Sequence, residues 1–279
     1  MESREAIRRL VAATENGELV FSTHAHVVLQ VRLALDDPEI HMDKAARLVQ
    51  AEPMLAARVV GMANSAVYNR SGTSISDVRT AVIRLGLPLI RSLSTALIMR
   101  QLAGEQSAAQ AELAARLWEH SSHVAALSQV LARRVSRQNP EMALFAGIVH
   151  EVGSFYLISR AGENPDLLGE GVEEAWRMGG EAQIGLAVMR ALAVPEEIAT
   201  AVRAQWEGNF TIPPKSLADT LYLANCLTPI ANPLSPPSAD MTRNAMLALS
   251  TQVMADRTLA EILEESGEEL DSLARSLQL

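Results

Sequence analysis

Apolar residues recur along this chain at intervals of three and four rather than two. In residues 42–50, MDKAARLVQ, the positions Met42, Ala45, Ala46 and Val49 share one helical face. Glu52–Pro53 restarts the chain, because proline is tolerated in a first helical turn. The helix that follows carries Leu55, Ala56, Val59, Val60 and Ala63 on one side, and Asn64–Ser65 marks its end. RSGT at 70–73 is a loop by composition. Ser76–Asp77 offers a cap for the next helix, Gly86 is placed to close it, and Pro88 opens another through Leu102. GEQSA at 104–108 reads as a hinge between two halves, 1–106 and 107–279.

The second half begins with a helix that His120 is expected to open. Asn139–Pro140 breaks the chain and MALFAGIVHEV resumes it. Helical spacing returns at 182–192, 195–205 and 217–227. Residues 228–238, TPIANPLSPPS, hold four prolines in eleven, so they form a linker or an ordered loop. Two acidic helical segments finish the chain. No stretch sustains a period of two, so the expected fold is all-α without a major sheet.

Composition narrows the picture. The 279 residues are 48% hydrophobic and only 4% aromatic, which suits a helical core of Leu, Val, Ile, Ala and Met. The lone cysteine, Cys226, excludes an internal disulfide and fits a reducing compartment as a small core residue. The charged start MESREAIRRL is followed by no apolar run of signal-peptide or membrane-span length, so a soluble cytoplasmic protein is expected. The net charge of −9 disfavours nucleic acid as a partner. The charge is uneven: residues 41–100 carry eight Lys/Arg against three Asp/Glu, and residues 254–279 carry seven acids against two Arg. A basic middle can meet an acidic partner, or the chain's own acidic tail.

Several separate blocks then carry a resemblance. They are NSAVYNRSGTSISDVRTAVIRLG at 64–86, LVQAEPMLAARVVGMAN upstream, and LWEHSSHVA and FAGIVHEVG downstream. In this order they resemble the HDOD family, the HD-related output domains of bacterial signalling, across roughly residues 20–227. The resemblance implies an N-terminal helical bundle packed on an HD-like helical domain. It also implies a regulatory role, usually without catalysis.

HD phosphohydrolases gather histidines and carboxylates around one or two cations that acidify water. The matching positions here are His120, His150, Glu151 and Asp219, with Glu151 where the family pattern has Asp. Related cyclic-di-GMP phosphodiesterases add imidazoles where this chain has Glu181, Gln205 and Trp206. The expectation is therefore a vestigial site without metal or other cofactor, in which His120, His150 and Asp219 hydrogen-bond as a buried cluster. A residual single-ion site is the alternative. His123, one turn after His120, is expected to be exposed or satisfied in the core, and no ligand role falls to His24, His26 or His41.

No phosphate-binding loop, dinucleotide fingerprint or nucleophile elbow is present. Gly179–Gly180 before a helical segment reads as a plain turn, with anion binding as the sharper option. Two helices joined at LGLP superficially suggest a DNA-binding helix pair, but the second, PLIRSLSTALIMRQL, is too apolar for a recognition helix. Arg79, Arg84 and Arg91 are instead candidates for a partner-binding face, with a solvated surface as the bland alternative. The sequence thus points to a non-catalytic signalling protein acting through protein contacts, with two-component or cyclic-di-GMP components as partners. A metal-dependent phosphohydrolase, a cyclic-dinucleotide phosphodiesterase and a nucleotide sensor are the rivals.

Overall fold

The computed structural model describes residues 2–102, 107–208, 210–235, 238–239, 242–244, 246–247, 253–254 and 257–278. Most of the expected hinge at 104–108 lies outside the described residues. The first elements are α1 (Glu2–Glu15), α2 (Thr23–Ala34), α3 (Met42–Gln50), α4 (Pro53–Ala63) and α5 (Val78–Leu102). Next come α6 (Ala108–Leu131), α7 (Pro140–Val149), α8 (Val152–Ala161), the single turn α9 (Val172–Ala175), α10 (Glu181–Ala191), α11 (Glu196–Trp206) and α12 (Leu217–Leu227). A two-residue strand pair, β1 (Val253–Met254) and β2 (Arg257–Thr258), precedes α13 (Leu259–Glu265) and α14 (Gly267–Gln278). The all-α expectation holds.

Local chemistry fixes many of these boundaries. Glu52 caps α4 by accepting from the N–H of Leu55, with Pro53 in the first turn. Asp77 accepts from the N–H of Thr80 at 2.8 Å and starts α5. Gly86, at φ 77° and ψ 161°, breaks α5 into the two helices the sequence suggested. Asn139 accepts from Glu141 and Met142 ahead of Pro140. His120 does not open its helix: α6 starts at a capping box of Ser107 and Gln110, and His120 sits well inside it.

Helices α2, α3 and α4 pack around α5, which in turn meets α7 and α8. The second half of α5 is buried through Leu89, Ile90, Leu93, Ala96 and Leu97, so it has no face for a DNA groove. Helices α6 and α7 pack extensively on one another, α8 packs on α10, and α12 packs on α11 and α6. The stretches Val78–Leu102 and Pro140–Ala161 are long and apolar enough to cross a membrane, but 67% and 89% of their most apolar windows are buried inside the fold.

The chain ends cross over. Helix α1 packs on α9 and α10, with Ile7 filling the space beside Gly180. Helix α14 packs on α6 and α4. Its acidic start and polar end both meet arginines: Glu269 pairs with Arg133 and Arg134, the Leu277 carbonyl accepts from Arg58 and Trp118, and the Gln278 carbonyl accepts from Arg100. Cations at a helix C-terminus satisfy its free carbonyls and its dipole. The chain's own tail therefore takes up part of the basic middle.

Candidate functional site

The site is set by the approach of α6 to α7. A Cβ on Gly147 would lie 2.4 Å from the Cα of Ala125, so only glycine permits this spacing. His120 precedes Ala125 on α6, and His150 follows Gly147 as the C-cap of α7. The two imidazoles meet with Nε2 3.3 Å from Nε2. Glu151 follows in the short turn between α7 and α8. All three side chains are buried.

The outer nitrogens decide the tautomers. His120 Nδ1 lies 2.7 Å from the carbonyl of Ile230, and His150 Nδ1 lies 2.7 Å from the carbonyl of Gly147. A carbonyl oxygen only accepts, so each Nδ1 carries the proton and each Nε2 presents a lone pair. Burial pushes both imidazoles down to about 4, and for His120 the neighbouring His150 adds to this. At neutral pH two bare lone pairs therefore face one another. Glu151 Oε1 is 3.7 Å from His150 Nε2, while Oε2 accepts from Ser154 Oγ at 2.6 Å. Burial raises the Glu151 carboxyl, opposed by His120, Ser154 and the side chain of Asn232.

One donor atom from each of His120, His150 and Glu151 lies within 4.8 Å of the others. Two imidazole nitrogens with their far sides held by carbonyls, plus a carboxylate, fit a single divalent ion. His120, His150 and Glu151 would hold it, and such an ion supplies acidity to a bound water.

Asp219 corrects the expected cluster. Its carboxylate accepts from the N–H groups of Thr211 at 2.6 Å, Lys215 at 3.0 Å and Ser216 at 2.9 Å, and from Ser216 Oγ at 2.7 Å. Burial pushes this carboxyl up, but the hydrogen bonds outweigh it and hold the group below the usual carboxylate range. Asp219 is the capping-box residue of α12 and is absent from the His120–His150–Glu151 group.

A cleft of about 880 Å³ opens from this group, with His120, Glu151, Glu181, Gln205, Trp206 and Asn232 on its walls. The three positions where imidazoles were missed thus face the same space. Burial pushes the Glu181 carboxyl up to about 8, and the neighbouring Glu151 adds to this. Cys226 lines the cleft half-buried rather than filling the core, and burial pushes its thiol up to about 11. Ile230 and Asn232, from the proline-rich segment, join the site without a motif to announce them. The described residues 228–235 of that segment form an ordered loop: Asn232 Oδ1 accepts from Leu234 at 2.9 Å and Ser235 at 3.1 Å.

The other histidines stand apart from this group. His123 is half-buried on α6, His24 and His26 are exposed on α2, and His41 is the N-cap residue of α3. The three candidate arginines have partners within the chain. Arg79 pairs with Asp43 at 2.6 Å on the surface. Arg84 donates to the Ala63 carbonyl at 3.1 Å and to Asn69 Oδ1 at 3.0 Å. Arg91 donates to the Leu35 carbonyl and pairs with Asp36 at 3.1 Å.

The HDOD domain profile matches residues 21–207. The chain belongs to the HDOD family. The fold is shared with a protein from Shewanella amazonensis SB2B, provisionally named a metal-dependent phosphohydrolase, at a TM-score of 0.76 and 20% identity over 99% of both chains. An HDOD domain protein of unknown function from Geobacter sulfurreducens matches at 0.64 and 21% identity over 98% of both chains. A protein from Marinobacter aquaeolei VT8, provisionally named a signal transduction protein, matches at 0.54 and 21% identity over 94% of this chain and 60% of that one. No curated protein matches the sequence. This HDOD chain therefore shares its helical fold with these proteins and carries a buried His–His–Glu group.

Proposed function

We propose that this HDOD protein is a non-catalytic signalling module that acts through contacts with partner proteins. Two-component or cyclic-di-GMP pathway components are the partner class. The observation that carries the reading is the position of Asp219. An HD-type hydrolase needs a further carboxylate on its cation, and here that residue is tied to three backbone N–H groups at the start of α12. Glu181, Gln205 and Trp206 then stand on the walls where a second cation would need imidazoles.

The test is an assay of the purified chain with bis(p-nitrophenyl) phosphate and with cyclic di-GMP, without metal and with added Mn²⁺ or Fe²⁺. The expected result is no turnover above buffer. Turnover that disappears in His120→Ala would replace this reading with the phosphohydrolase one. That second reading has one specific observation in its favour, the convergence of His120, His150 and Glu151.

A further inference from the structure

A second cleft, of about 430 Å³, lies between the loop after α4 and the meeting point of α6 and α7. It shares no lining residue with the His120–His150–Glu151 group. Its polar lining includes buried Gln129 and half-buried Tyr68. Gln129 is 1% exposed, and its Nε2 lies 2.8 Å from the hydroxyl of Tyr68. The other end of the amide, Oε1, is buried without a partner. If Nε2 donates to the phenol oxygen, the phenol proton is left to donate; if the amide is turned, its NH₂ is left instead. With the amide as placed, the buried orphan is the acceptor Oε1 and the donor offered to the cleft is the phenol proton; with the amide turned, the buried orphan is the NH₂ donor, which is costly to leave unpaired. Burial also pushes the Tyr68 hydroxyl up to about 12, so it keeps its proton.

The rim is cationic. Arg70, Arg84 and Arg133 line it, against one carboxylate, Glu141. Arg84 is held by Ala63 and Asn69, and Arg133 is shared with Glu269. Arg70 is exposed, and among the described residues its side chain has neither a hydrogen bond nor an ion pair. Guanidinium groups beside a free hydroxyl or amide donor suit an anion. The fold itself provides the example: Glu269, on the acidic helix α14, already sits on Arg133 and Arg134 next to this cleft.

We propose that this cleft is a binding site for an anionic side chain, a carboxylate or phosphoryl group borne by an acidic segment of a partner protein, with the Tyr68–Gln129 pair and Arg70 as its donors. The proposal rests on the protein-contact reading above and locates the contact. It also moves the binding face from Arg79 and Arg91 to Arg70.

The experiment uses the full chain and two fluorescein-labelled peptides, hexaglutamate and a neutral peptide carrying one phosphoserine, followed by anisotropy at low and high salt. Wild type should bind at least one peptide saturably, and more weakly as salt rises. Arg70→Gln and Tyr68→Phe should each raise Kd about tenfold, the loss of one hydrogen bond to a charged group. Arg79→Gln, whose guanidinium lies outside the cleft, should leave Kd unchanged. Preference for one peptide identifies the anion as carboxylate or phosphoryl. Absence of saturable binding at millimolar peptide, or equal weakening by Arg79→Gln, overturns the site. Melting curves of the two cleft variants guard against unfolding. In host lysate, a partner recovered equally by wild type and the Tyr68→Phe/Arg70→Gln double variant also overturns the site while leaving the protein-contact reading intact.

Discussion

The indole of Trp206 occupies the space that a Cβ on Gly185 would need: its nearest ring carbon would lie 2.5 Å from that atom. One wall of the large cleft thus depends on a glycine on the neighbouring helix. Gly185→Ala is expected to drive the ring outward and to lower stability by about 1–3 kcal/mol, the range for overpacking. Tryptophan emission should shift to the red. An unchanged spectrum and melting curve would mean that the ring does not rest on α10.

Gly86 is expected to resist substitution for a different reason. A Cβ there meets only Pro88 at 3.8 Å, so space is ample, but the backbone holds φ 77°. Valine, branched at Cβ, is disfavoured in that region by about 1–3 kcal/mol. Gly86→Val should lower the denaturation midpoint, and Gly86→Ala, which adds a Cβ without the branch, should lower it by less. Equal midpoints for all three chains would refute the strain argument.

Glu181 gives a pH dependence with a definite sign. Its carboxyl ordinarily titrates near 4.5 and is raised to about 8 in the fold. Between these values the unfolded chain has released a proton that the folded chain still holds, so stability falls as pH rises through the window. Glu181→Gln removes the ionisation. The variant should therefore melt higher than wild type at pH 8, with the advantage shrinking towards pH 4. His120 and His150 act in the opposite direction: held near 4 against 6.5 when free, they contribute stability above 6.5 that is lost as pH falls towards 4. A wild-type melting temperature that is flat from pH 4 to 8, with Glu181→Gln following it, would count against both assignments.

The facing Nε2 atoms predict an affinity for one cation. Adding Zn²⁺ or Mn²⁺ to metal-free protein should raise its melting temperature, because an ion that binds only the folded state stabilises it by mass action. Titration calorimetry should give a stoichiometry of about one ion per chain, and His120→Ala should abolish the effect. A metal response that survives in His120→Ala would place the ion elsewhere.

Local signals were legible wherever chemistry and boundary coincide. Glu52–Pro53, Gly86, Asn139–Pro140 and the 217–227 helix each carry their own cap, break or periodicity, and all stand where expected. Helix α2 is not legible in the sequence, since in THAHVVLQVRLA apolar and polar residues mix around the helix. The site was half legible. His120, His150 and Glu151 come together as residue types suggest, but Asp219 follows a nearer rule: Ser216 stands three residues before it, a capping-box spacing, and the local bonds won. Ile230 was invisible because it acts through a backbone carbonyl, which no side chain announces.

The crossing of the chain ends has a consequence for where this protein can be cut. The family match spans 21–207, which excludes both α1 and α14. The likeness to the Shewanella protein covers 99% of both chains, so the shared architecture extends past that match at each end. A fragment trimmed to 21–207 would uncover the apolar seats of Ile7, Leu273 and Leu277 and strip Arg58 and Trp118 of the carbonyl they share. The segment recognised by the family match is smaller than the packed structure. Helix α1 rests on α9 and α10, and helix α14 on α6 and α4, so neither is a dispensable tail.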